Sequence, residues 1–193
     1  VPAGWISWKA YEGHVTERNI RDAADWVAEN LRDYGLEYVT IDDGWFVGST
    51  PQLTRVPPGV DWTKANAQFP GGMKAVVDYI HERGLKAGIW LSPFGCSVAD
   101  AEKMPDWWLH AGAGGPVFQS NPYWHGPVFV DASNPEGVEN WLLRGVRAQL
   151  ANGFDYLKID GQMHTAYDGY SKTGDYFEGK GTTWQAALRQ GWA

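Results

Sequence analysis

Gly153-Phe-Asp-Tyr-Leu-Lys-Ile-Asp160-Gly161 places a Lys and an Asp where an apolar strand stops. Tyr156, Leu157 and Ile159 read as a short buried strand, too short for a globular helix, and Gly153 ends the helical run before it. Lys158 and Asp160 alternate with those apolar residues, so in a strand they point the same way. In a parallel barrel the C-terminal ends of the strands form the active face. The plainer alternative has Asp160 capping the next loop, with Lys158 as its ion-pair partner.

A second copy of the pattern favours the barrel. Gly35-Leu-Glu-Tyr-Val-Thr-Ile-Asp42 matches the first stretch position by position, and Gly84-Leu-Lys-Ala-Gly-Ile-Trp90-Leu is a weaker third copy. Repeated units of helix, Gly, strand and polar tip build β/α barrels and doubly wound sheets. Asp42, Asp43 and Asp160 are thereby expected at one rim.

Working outward, Gly4 to Trp8 reads as a first strand, bounded by Pro2 and the polar Glu12-Gly13-His14. Ile20, Ala23, Ala24, Val27 and Leu31 fall at helical spacing, with Thr16 as N-cap and Gly35 as stop. Strand two, Tyr38 to Ile41, leads into a loop over residues 46–70. Met73, Val76, Val77 and Ile80 mark the next helix, and Ala87 to Leu91 strand three. Met104 to Trp108 suggests a short helix and Ala111 to Pro127 a loop. Asn134-Pro135 opens a helix that runs to Gly153. After strand four, residues 161–181 read as a polar loop, and Thr182 with Gln185 as the capping box of a last helix, Trp184 to Ala193. This order predicts an α/β fold of the (β/α)8, TIM-barrel type, with residues 1–193 as one partial barrel domain supplying about the first four βα units. No Gly-x-Gly-x-x-Gly follows any strand, so a doubly wound nucleotide-binding sheet gains no support.

A length of 193 residues suits a single domain with a normal core, and the net charge of -7 argues against nucleic acid as a partner. No apolar run approaches the ~20 residues of a membrane span, so no membrane partner is expected. Cys96 is alone, and the chain starts at Val1 without Met, which points to a processed, domain-cut or partial chain. Secretion or a periplasmic location is slightly favoured over the cytoplasm. Twelve Trp residues are unusual. Sites for sugars combine flat aromatic surfaces with carboxylates, although most of the indoles are expected to fill the core.

The tips suit that chemistry. Asp42 and Asp43 diverge on an extended backbone and converge on one ligand only if the strand ends there, a turn that Gly44 permits. Carboxylates accepting from neighbouring hydroxyls bind a polyol, and Lys158 can donate to the same sugar. The histidines at 14, 81, 110, 125 and 164 are scattered, so no metal site is predicted. An ionised Asp160 can attack an anomeric carbon if a second acid, ~5–5.5 Å away in a retaining enzyme, protonates the leaving oxygen. Asp168, Asp175 and Glu178 read as solvated loop acids rather than that acid, and Asp131 as an acid that orders its own turn.

These motifs resemble the clan D glycoside hydrolases, the melibiase or α-galactosidase families 27 and 36. The resemblance rests on Gly4-Trp-Ile-Ser-Trp8, Tyr38-Val-Thr-Ile-Asp-Asp-Gly-Trp45, Phe69-Pro-Gly-Gly-Met-Lys74, Tyr79 to Trp90, Asp155-Tyr-Leu-Lys-Ile-Asp160 and Gln185 to Gly191, in the family's order. It implies a retaining hydrolase of terminal α-linked galactose-like sugars, with Asp160 as nucleophile. Asp42 and Asp43 would bind outer hydroxyls, Lys158 a ring hydroxyl, and Trp8 and Trp90 would line the pocket. No cofactor or metal is implied. The family's acid/base Asp comes from a later strand, so the expected partners are an α-galactoside and either the missing half-barrel or a second copy. Gly161-Gln162-Met163 departs from the aromatic often found after the nucleophile in family 36. That leaves open a relative acting on another α-linked sugar, such as an α-N-acetylgalactosaminidase or a raffinose-synthase-like transglycosylase, and a non-catalytic sugar-binding half-barrel.

Overall fold

The computed structural model describes residues 2–49, 58–120 and 126–191. In chain order the first elements are β1 (Gly4–Ile6), α1 (Trp8–Tyr11), α2 (Glu17–Asn30), β2 (Tyr38–Ile41), β3 (Phe46–Val47), β4 (Asp61–Ala65), α3 (Gly72–Glu82) and β5 (Lys86–Leu91). They are followed by β6 (Gly95–Cys96), α4 (Val98–Ala101), β7 (Val128–Phe129), α5 (Pro135–Gly137), α6 (Leu143–Ala151), β8 (Tyr156–Ile159), α7 (Gln162–His164), α8 (Gly174–Gly179) and α9 (Trp184–Gln190). Contacts divide the chain into two compact units. Residues 1–52, 60–91 and 145–160 form the first, and residues 53–59, 92–144 and 161–193 the second.

The first unit is built on a four-stranded sheet in the order β1-β2-β5-β8. All its pairings are parallel, with Gly4 beside Tyr38, Tyr38 beside Lys86, and Gly88 beside Tyr156. Spatial order follows chain order without the reversal that defines a doubly wound sheet, so these strands are consecutive units of a β/α barrel. Parallel register also brings the C-terminal ends of β2, β5 and β8 to one rim.

Helix α2 forms where the sequence predicts. Thr16 Oγ1 accepts from Asn19 N–H at 3.2 Å, and Asn19 Oδ1 accepts from Thr16 N–H at 3.0 Å, a reciprocal box that satisfies two end donors. Its apolar stripe, Ile20, Ala24 and Val27, is buried, as are Val76, Val77 and Ile80 of α3. Val39, Ile41, Ala87, Ile89 and Leu91 of the central strands are buried too. A strand covered on both faces reads as a continuous apolar run, as β5 does.

Several expectations change. β8 is half-buried along its length rather than buried, because it lies at the end of the sheet and pairs only with β5 among the described residues. Strand one stops at Ile6, and Trp8 starts the short helix α1. The loop expected over residues 46–70 contains an antiparallel pair, β3 with β4. Residues 50–57, with Pro51 and Pro57, lie outside the described residues.

In the second unit β6 and β7 pair antiparallel, and a core gathers Leu109, Phe129, Tyr170, Tyr176, Phe177 and Ala187. Residues 161–181, expected as a polar loop, are largely helical: α7, a π-helical stretch Thr165–Gly169, a 3₁₀ turn Tyr170–Thr173, and α8. Burial of Tyr170, Tyr176 and Phe177 overrides the glycine-rich composition. The last helix is capped by Thr183, which accepts from Ala186 N–H at 3.2 Å, one residue after the expected Thr182. Its expected end at Ala193 lies outside the described residues, as does His125.

Candidate active site

Three strand ends of the first unit meet as one polar group. Ser7, just past β1, accepts at Oγ from the Asp42 amide at 2.9 Å, which fixes where β2 stops. Asp42 then receives two donors, Lys158 Nζ at 2.8 Å and the Asp43 amide at 2.9 Å. Lys158 therefore reaches from β8 to the tip of β2 and neutralises a carboxylate that is only 3% exposed. Neither of the uses the sequence offered for Lys158, a partner of Asp160 or a donor to sugar, includes this bond.

The turn that re-aims the second carboxylate depends on Gly44. Its φ is +112°, and a Cβ there would lie 2.7 Å from Gly13 O, so neither the conformation nor the space admits a side chain. Asn66 holds the turn from the other side, donating to Gly44 O at 2.7 Å and, through its amide, to Trp45 O at 2.8 Å. Asp43 is 7% exposed, with Ser49 Oγ donating to Oδ1 at 3.3 Å. Burial pushes its carboxyl up to about 6, and the charges of Asp42 and Asp160 push in the same direction.

Asp160 leaves β8 with its amide bonded to Leu91 O at 2.9 Å, and its Oδ2 accepts from Trp90 Nε1 at 3.1 Å. Trp90 is 3% exposed. It contributes an N–H to a carboxylate rather than a bare platform. Trp45 in turn donates its indole N–H to Trp90 O at 2.9 Å. Trp8 is half-buried in α1 and, among the described residues, makes no hydrogen bond to the carboxylates. The structure thus brings together Asp42, Asp43, Trp90, Lys158 and Asp160, while Trp8 follows Ser7, which bonds the Asp42 amide.

Ser7, Ser49 and Asn66 are the polar members that the sequence reading missed. Each follows a strand or sits in the hairpin region, and only the position of Ser7 directly after β1 signals it. In the second unit Asp168 is held low by Lys172, with His164 assisting, while Asp175 and Glu178 are exposed. None lies in a loop: Asp168 sits in the π-helical stretch, and Asp175 and Glu178 sit in α8. No group of three potential metal ligands occurs among the described residues.

Taken together, the rim offers a buried carboxylate neutralised by Lys158, a second one short of donors, and a third aimed by an indole. Such a group accepts hydroxyl donors and can present an anionic oxygen to an electrophilic carbon.

Residues 6–184 match the family model described as Melibiase. The chain belongs to the melibiase family. Among relatives of this chain, the probable α-galactosidase B of Aspergillus oryzae is 30% identical over 171 residues, covering 79% of this chain and 37% of the relative. The α-galactosidase of Coffea arabica is 37% identical over 91 residues, covering 46% of this chain and 22% of the relative. Among solved structures, the α-galactosidase from Thermus thermophilus in complex with p-nitrophenyl α-D-galactopyranoside has a TM-score of 0.69 and 33% identity, covering 98% of this chain and 36% of that one. The same enzyme has also been solved with stachyose. The chain spans well under half the length of these relatives, and its fold is of their β/α-barrel type.

Proposed function

We propose that this chain forms the part of a retaining α-galactosidase-type glycoside hydrolase that grips a terminal α-linked galactose-like sugar and carries the nucleophile. The observation that carries the reading is the Trp90 N–H on Asp160 Oδ2, at the ends of the same neighbouring strands that carry the Asp42–Lys158 pair. It gives a carboxylate a fixed direction beside acceptors suited to hydroxyls.

In this mechanism Asp42 and Asp43 accept from outer hydroxyls of the sugar, and Lys158 donates to a ring hydroxyl while staying paired with Asp42. An Asp160 oxygen attacks C1, and the C1–O bond to the leaving group breaks. A carboxylic acid from beyond these units protonates the departing oxygen, and water later releases the sugar with retention. The solved relatives bound to galactosides support this substrate class, and terminal α-galactosyl oligosaccharides are the proposed natural substrates.

The test uses a donor that needs no protonation. With 2-deoxy-2-fluoro-α-galactosyl fluoride, Asp160 bonds to C1 while fluoride departs with the C1–F electron pair, and the C2 fluorine slows hydrolysis of the ester. Mass spectrometry should find one fluorogalactosyl group on the peptide containing Asp160, and none in Asp160→Asn. A folded chain that binds galactose yet is never labelled would refute the catalytic reading in favour of a non-catalytic sugar-binding module. Preference for a 2-acetamido donor would move the substrate to an N-acetylgalactosaminide.

A further inference from the structure

We infer that Trp62, on β4, is a positioning residue for Asp160: through Phe46 it holds the Trp90 indole in the one orientation whose N–H reaches that carboxylate. The inference rests on the proposed role of Asp160 for its catalytic meaning, but not for its geometry.

The contacts form a continuous wall. The Trp62 ring stacks on Phe46 with centroids 4.1 Å apart and planes at 30°, and Phe46 lies against Trp90 at 6.4 Å and 21°. Trp62 also approaches Trp90 directly, at 5.9 Å. Trp45 closes the group at 5.6 Å from Phe46 and 6.4 Å from Trp62. An indole has two rotatable bonds, and turning it over carries its N–H to the opposite edge. A wall of flat rings against Trp90 forbids that turn and leaves the N–H on Asp160 Oδ2.

Trp62 is itself clamped from α6. A Cβ on Gly145 would lie 2.5 Å from the Trp62 Cβ, so the glycine is there to let the helix approach. Gln149, fully buried, donates Nε2 to Trp62 O at 2.8 Å. Helix α6 leads directly into β8, and β8 ends at Asp160. The nucleophile strand is therefore tied to its own orienting donor by a closed circuit of α6, Trp62, Phe46 and Trp90.

Packing alone does not explain an indole at this position. Trp62 is 5% exposed, and its Nε1 is buried without a hydrogen-bond partner among the described residues. A desolvated donor left unpaired costs stability that a phenyl ring would not. Keeping a locally unfavourable group points to a role in the site for the larger indole ring, which reaches Trp90 directly as well as Phe46.

The experiment reads the Trp90 indole proton by nitrogen-15 NMR in the full chain, with Asp160→Ala, which removes the acceptor, defining the signature of the broken bond. In Trp62→Ala the exchange protection of that proton should fall at least about tenfold, the equivalent of one charge-assisted hydrogen bond. Trp62→Phe, which keeps a flat ring on Phe46, should recover it to within about threefold, and backbone amides of β5 should stay protected in both. Protection that survives in Trp62→Ala overturns the inference. If that variant fails to fold, Trp62→Leu, which fills volume without a flat face, decides on the same criterion. Labelling by the fluorogalactosyl fluoride should slow in parallel, with galactose affinity changing less than the labelling rate. A wild-type chain that is not labelled counts against the proposed function and leaves the indole measurement to judge the positioning.

Discussion

Asp43 and Asp131 are the same residue at nearly the same burial, 7% and 0% exposed, and their surroundings are opposite. Asp131, beyond β7 in the second unit, has its whole acceptor capacity filled. Ser133 donates from its amide at 2.8 Å and its hydroxyl at 2.6 Å, Tyr176 OH at 2.8 Å and Lys180 Nζ at 2.5 Å. Asp43, beyond β2 in the first unit, draws on the Gly44 amide and a long 3.3 Å bond from Ser49 Oγ, and burial with like charges nearby raises its carboxyl. A satisfied buried acid holds a fold together. An acid buried and left short of donors is prepared for donors that arrive with a ligand.

The sharpest way to break this comparison is to exchange the two outcomes. Asp160→Asn should lower the rate of labelling by the fluorogalactosyl fluoride by at least about a thousandfold, since nucleophile removal in enzymes costs that much or more, and should leave the melting temperature almost unaltered. Asp131→Ala should instead destabilise by about 1–3 kcal/mol, because it leaves the buried Tyr176 hydroxyl without its acceptor, while Lys180 is exposed enough to turn to water. Denaturant unfolding of the two variants side by side, together with the labelling rate of each, checks both. A stable Asp131→Ala chain would mean that a filled hydrogen-bond shell is no marker of a structural acid.

Asp43→Asn sharpens the comparison through pH. A folded carboxyl at about 6, against an ordinary 3.8, binds a proton that the unfolded chain has already released between those values. Its contribution to stability is therefore unfavourable, absent below about pH 4 and complete above about pH 6, and amounts to no more than about 3 kcal/mol. The variant should be more stable than wild type by about 1–3 kcal/mol at pH 7.5 and by almost nothing at pH 4, while losing galactose affinity. Acids held low, such as Asp25 by Arg83 and Asp168 by Lys172, run the other way with pH, so the difference between variant and wild type is the quantity to follow. A gap that does not widen with pH would show that Asp43 is not strained in the folded chain.

The rim was legible because it is local. The stretches ending in Asp42 and Asp160 carry strand alternation, a starting glycine and a polar end within eight residues each. What joins them is not local. Lys158 finds Asp42 at 116 residues' separation, and Trp90 finds Asp160 at 70. Sequence could place those side chains at one rim without choosing their partners. β4 was hidden because Asp61–Ala65 offers Trp62 as its one buried residue among polar neighbours, and it is this residue that stands behind Trp90. Residues 161–181 misled in the other direction, since glycine and charge masked Tyr170, Tyr176 and Phe177, whose helical order depends on burial against Leu109 and Phe129. The half-buried state of β8 follows from sheet position, which pattern alone does not report.

β8 carries an acid at each end, and the smallest expected effect lies at its start. Asp155 Oδ2 accepts from the Ala87 amide at 2.8 Å and lies 2.8 Å from His81 Nε2, but both side chains are open to water, 36% and 39% exposed. Solvent offers the same charges nearly equal partners, so exposed pairs of this kind contribute at most about 1 kcal/mol. Asp155→Asn keeps an oxygen for the Ala87 amide and removes only the charge facing His81, and should cost less than that in denaturant unfolding. Labelling at Asp160 should proceed at the wild-type rate, because β8 is held in register by its pairing with β5 from Gly88 beside Tyr156 to Leu91 beside Ile159. A loss of labelling in this variant would place the control of Asp160 in the seating of its strand rather than in the donors around its carboxylate, and the contrast between Asp43 and Asp131 would then describe solvation without describing function.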